Sequence, residues 1–334
     1  IMEMTKIEKI WSNLEGDFSN HSGLLYKRYS AEVLPDIFIA LKAPEKFRCL
    51  AFSINQTFSF DESQWNKLKD IKIETIPDER DKSKKFLLIT LLNKQHKDIF
   101  STLCEDLIFG VSEVTNEQNL VEKLLERLAK WQSLFEKIGN QGLSAEAQRG
   151  LYGEVYFLRI FINNSSNKNH CLKSWLGPEK SVQDFQYSDW AVEVKTTHGN
   201  NHQKIHIASE RQLDDAIIPN IFLYHLSLDV RASNGEFLNS LIDEVSDLLT
   251  DNTMAYNLFK LKLLEVGYYD IHRPLYEETG YTIRQENLYR VAGNFPRITE
   301  ANIPIGVGDV RYSIILSESE EYRIDQKTLF SEIN

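Results

Sequence analysis

A chain of 334 residues is long enough for two or three domains, or for one core with large additions. Its 42% apolar and 11% aromatic content excludes wholesale disorder, and 15 Gly with 8 Pro exclude a low-complexity chain. The 38 basic and 49 acidic side chains leave a formal charge of −11, which argues against a protein held on nucleic acid by net charge alone. No run approaches the roughly 18 consecutive apolar residues of a membrane helix, so no membrane association is expected. No charged-then-apolar leader precedes a small-residue cleavage site, so no signal peptide is expected either. Cys49, Cys104 and Cys171 are scattered, forming neither a disulfide framework nor a zinc motif. That usage fits a reducing cytoplasm.

In chain order, Ile7–Leu14 reads as a short helix. Ile37–Leu41, Arg48–Ile54, Ile71–Ile76 and Phe86–Leu92 are short apolar or alternating runs and read as strands. The polar run 78–85, with basic residues from Arg80 to Lys85, reads as a solvated hairpin loop, with nucleic-acid contact as the alternative. A helix over 97–109 follows. The clearest helix is next: Val121, Leu124, Leu125, Leu128, Trp131, Leu134, Phe135 and Ile138 recur at helical spacing, and Gly139 closes it. Ser144 is a good N-cap for a further helix through Leu151, Val155, Leu158 and Phe161, ending at a polar loop over 163–169. Beyond position 220 the pattern predicts a strand over 221–230 and helices over 237–249 and 255–266. Short strands are expected at 281–283, 288–291 and 310–316.

The stretch that carries chemistry runs from Val182 to Thr197. It reads as a hairpin: a strand around Asp184, a turn at Ser188–Asp189 and a strand over 191–197. Alternation puts Val192, Val194 and Thr196 on one face and Glu193, Lys195 and Thr197 on the other. Asp184 on the neighbouring strand can reach the spot where Glu193 and Lys195 point together. Two carboxylates with a nearby backbone carbonyl suit Mg²⁺, which prefers oxygen ligands and keeps several waters. Such an ion polarises a phosphodiester oxygen, and a lysine beside it can position water or stabilise developing negative charge. Glu154 lies on the helix before the hairpin, flanked by Gly150 and Gly153. It reads either as a third acid at the metal or as a solvated residue beside close helix–sheet packing. After the hairpin, Ser209 looks like the N-cap of a new helix whose amides could bind a phosphate. Gln212, one turn in, is a candidate for holding substrate.

These residues resemble the PD-(D/E)XK nuclease superfamily. More closely, Leu143-Ser144-x-Glu146, Gly150-Leu151-Tyr152-Gly153-Glu154, Asp184-Phe185, Glu193-Val194-Lys195-Thr196-Thr197 and Ser209-x-x-Gln212-Leu213 look like the prokaryotic "PD-(D/E)XK motif protein" family. The resemblance is sharpest over 143–215 and extends weakly through 100–107 and 295–312. It implies a restriction-endonuclease-like α/β (α+β) core, with a mixed central sheet flanked by helices. Around it the chain divides into an N-terminal α/β accessory domain (1–115), the nuclease core with its leading helices (116–230) and a helical/β C-terminal extension (231–334). It implies catalytic roles for Asp184, Glu193, Lys195 and Glu154, with Asp184, Glu193 and Glu154 toward Mg²⁺, for which Mn²⁺ can substitute. Ser209, Gln212 and Thr197 would touch substrate. Members are encoded beside helicases, methyltransferases and other parts of restriction and anti-phage systems, so DNA and such proteins are the implied partners, and a homodimer stays open. Gln183 stands where the superfamily name has Pro. A non-catalytic subunit of the same fold, binding DNA or a helicase, is the alternative reading, and an RNA- or nucleotide-directed phosphodiesterase is a second.

Spacing alone does not select the site. Asp61 with Asp70-Ile71-Lys72, and the triplet Asp325-Gln326-Lys327, match the same pattern. The first starts in a helical turn (61–68) rather than a strand, and the second falls in what reads as a polar tail without apolar flanks. Asp189 rivals Asp184 but sits at the turn, where Ser-Asp has local reasons to occur. His170, His198, His202 and His206 invite a zinc reading, but no clustered cysteine supports it and 198–202 reads as a loop. That loop, with Lys204, is better suited to a phosphate backbone, or is simply solvated. Net charge is −2 over 1–143, −1 over 144–215 and −8 over 216–334. The last third is therefore expected to face away from DNA or toward a partner protein, and intrinsic DNA affinity to be modest.

Overall fold

The computed structural model describes residues 5–17, 23–59, 70–137, 141–199 and 203–334. The helical turn read at 61–68, the Ile138–Gly139 helix end and the 200–202 part of the histidine loop lie outside the described residues. The fold is α+β, and the chain groups into two compact units, Ile1–Asn140 and Gln141–Asn334.

In the first unit, α1 (Lys6–Asp17) precedes five strands: β1 (Leu24–Arg28), β2 (Ile37–Lys42), β3 (Phe47–Asn55), β4 (Ile71–Pro77) and β5 (Lys84–Leu91). They form an antiparallel sheet in the order β1-β2-β3-β5-β4. Two helices follow, α2 (Lys97–Val111) and α3 (Glu117–Lys137). Alternating Ile37, Ile39 and Leu41 are fully buried, as period-two strands on a core require. Arg48 is buried beside Trp11 and held by Glu8 at 2.8 Å and Glu15 at 3.0 Å. β1 carries no clear alternation and is legible only as a partner of β2. The 78–83 segment is the β4–β5 hairpin loop, with Arg80 over the Tyr26 ring.

The second unit opens with α4 (Ala145–Asn164), capped as expected by Ser144, whose hydroxyl accepts from Ala147 N at 3.2 Å. α5 (Lys168–Ser174) occupies part of what the sequence presents as a polar loop; Asn167 caps it, and Cys171 and Leu172 bury. β6 (Phe185–Tyr187), β7 (Trp190–His198), β8 (Lys204–Ile207) and β9 (Asn220–Ala232) come next. β10 (Glu236–Phe237), α6 (Leu238–Leu248), α7 (Thr253–Glu265), β11 (Thr279–Val291), β12 (Tyr312–Ile315) and α8 (Gln326–Ile333) complete it. The central sheet is mixed, in the order β10-β11-β9-β7-β6. β7 and β9 are parallel, and the other pairs antiparallel. β9 is buried from Ile221 to Leu228, the pattern of a central strand covered on both faces. The two short strands expected at 281–283 and 288–291 are one long β11 with a register shift between Ile283 and Gln285. That strand comes from the last third and pairs with β9, while α3 groups with the first unit.

Two cores sandwich this sheet. Val192, Val194, Phe222, Tyr224 and Leu226 face helices α4 to α8. The opposite face packs Ile221, Leu223 and Tyr289 against Ile205 and Ile207 of β8, Ile314 of β12 and Leu213. The expected polar tail is in fact α8. Asp325 caps it, accepting from Thr328 N at 2.7 Å, and Leu329, Phe330 and Ile333 enter the core. Among the described residues, no helix is long and apolar enough to cross a membrane.

Candidate active site

The site grows out of the β6–β7 hairpin. Phe185 pairs with Val192 and Tyr187 with Trp190, so the turn falls at Ser188–Asp189, where Ser188 takes a positive φ of 51°. Asp184 lies just before β6 and turns back onto β7: its Oδ2 accepts from Val194 N at 2.8 Å. Asp189 stays exposed at the turn, beside Asn220. On β7 the alternation divides the strand as read, with Glu193, Lys195 and Thr197 opposite the valine face. Lys195 Nζ lies 2.5 Å from Glu193 Oε1.

α4 delivers the third acid. It packs so close to β7 that a Cβ on Gly153 would lie 2.4 Å from Thr196 Cγ2. Glu154, the next residue, accepts from the Trp175 indole N–H at 2.7 Å through Oε2. A Cβ on Gly177 would lie 2.4 Å from that same oxygen and 3.3 Å from Asp184 Oδ1. The two acids therefore border one small space, from α4 on one side and the hairpin on the other.

Gln212 ties the remaining pieces together. Its Nε2 donates to Glu193 Oε1 at 2.7 Å, and its Oε1 accepts from Lys195 Nζ at 3.4 Å and Ala208 N at 2.8 Å. The expected helix after Ser209 is a single 3₁₀ turn, Glu210–Leu213. Ser209 does cap it, accepting from Arg211 N at 3.2 Å. Its carbonyl takes the Gln212 N–H, so the Arg211 and Gln212 amides are both engaged by Ser209. Gln183, at the position of Pro in the motif name, is buried and donates to the carbonyls of Arg211 at 3.1 Å and Gln212 at 3.3 Å. It thus anchors the turn that carries Gln212. Thr197 is buried, its hydroxyl 2.8 Å from His225 Nε2, so it is placed in the sheet interior rather than at an open surface.

Burial sets the electrostatics. It pushes the Glu193 carboxyl up to about 8, aided by the charge of Asp184 and opposed by Lys195. Burial and then Asp184 push Glu154 well above the usual carboxylate range, against the Trp175 hydrogen bond. Asp184 is also raised by burial, against the pull of Lys195 and the Val194 N–H. Burial disfavours the Lys195 ammonium, but Glu193 and Asp184 outweigh it and its pKa rises. Three carboxyls thus share one cation, a set short of positive charge.

That shortage is what a divalent ion would fill, and the donor set fits one. Every donor is an oxygen, as a hard cation prefers. Glu193 Oε2 is buried without a hydrogen-bond partner among the described residues. Among those residues, no three His, Cys, Asp or Glu side chains converge closely enough to hold a metal ion as they stand. Mg²⁺ does not require three, since it is commonly held by one or two carboxylates with waters and substrate phosphates. Asp184 and Glu193 are the pair that could hold such a cation, with Glu154 bordering the same space as Asp184.

The competing triplets have local partners of their own. Lys72 pairs with Glu74 at 2.8 Å on β4, and Asp325 is a helix cap. His170 packs against Trp190 and Tyr187, and His206 against the Tyr312 carbonyl. Trp175, Gly177 and the interior pair His225–Asn287 are absent from the sequence reading. None has a local pattern that points there: Trp175 and Gly177 come up to Glu154 across the fold, and His225 meets Thr197 in the sheet interior.

Residues 7–317 match the family model DUF4420, described as "Putative PD-(D/E)XK family member". No curated protein and no solved structure matches the chain. The match runs over nearly the whole chain, on a fold whose central hairpin carries Asp184 and Glu193-x-Lys195: the chain belongs to this family of PD-(D/E)XK type and has its nuclease-like α+β fold.

Proposed function

We propose that this chain is a metal-dependent nuclease that hydrolyses phosphodiester bonds of DNA, with Mg²⁺ as its cofactor and Mn²⁺ as a substitute. The observation that carries the reading is that Asp184, held on Val194 N at 2.8 Å, borders one small space with Glu154, while Glu193 on the same strand holds the Lys195 ammonium at 2.5 Å. When bound, the cation polarises a phosphodiester oxygen as a Lewis acid and offsets the charge of the carboxylates. Asp184 and Glu193 are the residues that hold it. Lys195, kept in place by Glu193 and Gln212, orients the attacking water and offsets negative charge that gathers on the phosphoryl oxygens. Glu154 completes the acidic wall.

The setting that fits is a restriction or phage-defence system of the cytoplasm, with an operon-encoded helicase or methyltransferase as protein partner. The near-neutral charge of 144–215 supports recruitment over tight autonomous binding. The test is cleavage of supercoiled plasmid with Mg²⁺ or Mn²⁺, alone and with operon partners. Asp184→Ala and Lys195→Ala are expected to lose about 100-fold or more in rate. A wild type that cuts nothing under any of these conditions leaves a non-catalytic subunit of the same fold, and equal cutting by the variants removes the site assignment.

A further inference from the structure

The turn Trp175-Leu176-Gly177 is built into the acidic site from several directions at once. Trp175 is fully buried, with its ring stacked on Phe185 at 6.4 Å and tilted against Phe259 at 5.9 Å. A buried indole N–H needs an acceptor, and here that acceptor is Glu154 Oε2 at 2.7 Å. The amides of Leu176 and Gly177 both donate to the Asp184 carbonyl, at 2.7 and 2.9 Å. One short turn therefore holds the side chain of one acid and the backbone of another.

Lys262 of α7 fastens the turn. It is 2% exposed, donates to the Trp175 carbonyl and reaches Glu179 Oε1 at 2.7 Å. Lysine is almost never so buried unless paired, and its partners here are the turn and the 3₁₀ segment Gly177–Glu179. Gly177 itself needs no left-handed backbone. What its missing Cβ provides is room, because that atom would sit 2.4 Å from Glu154 Oε2 and 3.3 Å from Asp184 Oδ1.

We propose that Trp175-Leu176-Gly177 is a positioning element that presents Glu154 and Asp184 to a divalent cation, with Trp175 the positioning residue for Glu154. This rests on the metal-dependent reading above. Partners that orient metal-binding carboxylates typically matter by about 10–100-fold in metal affinity.

The experiment is calorimetric titration of the full chain with Mn²⁺ alone, with melting in EDTA recorded for each variant. Trp175→Phe removes the N–H together with part of the buried ring, so some loss of melting temperature in EDTA is expected from packing alone. The folded variant should nonetheless bind Mn²⁺ about 10-fold more weakly or worse, with cleavage recovering as Mn²⁺ is raised. Gly177→Ala crowds Glu154 without straining the backbone and should weaken Mn²⁺ binding likewise. It decides the matter if Trp175→Phe fails to fold. In a Glu154→Ala background, Trp175→Phe should add no further loss; a fully additive loss would mean that the indole acts only through folding. Wild-type affinity in both folded single variants overturns the positioning role alone. A wild type that binds no Mn²⁺ overturns the metal-dependent reading, and the positioning role with it.

Discussion

Glu193 is where burial and function oppose each other most directly. Its carboxyl is 1% exposed, and burial with the Asp184 charge raises it from 4.5 to about 8. The folded chain thus holds this proton more tightly than the unfolded chain does. The stability that results is complete below pH 4.5 and is lost as pH rises through about 8. On the proposed metal-dependent reading, a divalent cation would take the proton's place and release it. The melting temperature in EDTA should therefore fall between about pH 5 and about pH 9, and the increment from Mg²⁺ should grow over the same interval. An increment that does not change with pH would refute this account. Gln212 makes a second prediction at this scale. Gln212→Ala removes a donor from Glu193 and an acceptor from Lys195, so kcat should fall by about 10-fold or more while the fold persists. Unchanged steady-state kinetics would return Gln212 to a loop-packing role.

At the scale of elements, the contact of α4 with β7 decides how near Glu154 comes to the hairpin. Two glycines on that helix look alike in sequence and differ in surroundings. A Cβ at Gly150 meets nothing within 4 Å, whereas one at Gly153 would lie 2.4 Å from Thr196 Cγ2. Alanine in a helix gains on the order of 1 kcal/mol over glycine, and overpacking costs about 1–3 kcal/mol. Gly150→Ala should raise denaturant stability by about 0.5–1 kcal/mol, and Gly153→Ala should lower it by about 1 kcal/mol, with cleavage reduced as β7 shifts. If the two variants behave alike in urea melts, the close approach is not what places glycine there. β6 and β7 were legible as a hairpin because alternation and a Ser-Asp turn are local signals. β1, α5 and α8 were not: each is short, and α8 shows its apolar face only to a core assembled from distant strands and helices.

Across the whole molecule, cysteine usage has a checkable consequence. All three thiols are buried and unpaired with one another. Burial pushes Cys49 up to about 12, Cys171 up to about 11 and Cys104 well above the usual range. Thiolate is the reactive form, so the folded chain should resist iodoacetamide at about pH 8 and the denatured chain should take three equivalents. Rapid labelling of the native protein at any of the three would contradict the burial.

The sequence by itself determined the chemistry on offer and the local frame. The Glu193-Val194-Lys195 alternation, the Asp184 strand, the Ser144 cap and the helical stripe of α4 are all written within a few residues, where side-chain period and capping act. Only the tertiary structure decided which groups hold that chemistry in place. Trp175 lies 21 residues from Glu154, Gln212 lies 19 from Glu193, and Lys262 lies 87 from Trp175, so no periodicity links them. The same holds for the turn after Ser209, which begins with a helix signal and stops after four residues, and for the last third, whose β11 completes the central sheet. Local propensity sets the face on which a side chain stands. Packing between segments distant in sequence sets what it meets there, and at this site that includes the indole, the amide and the missing Cβ around three acids, of which Glu193 is buried.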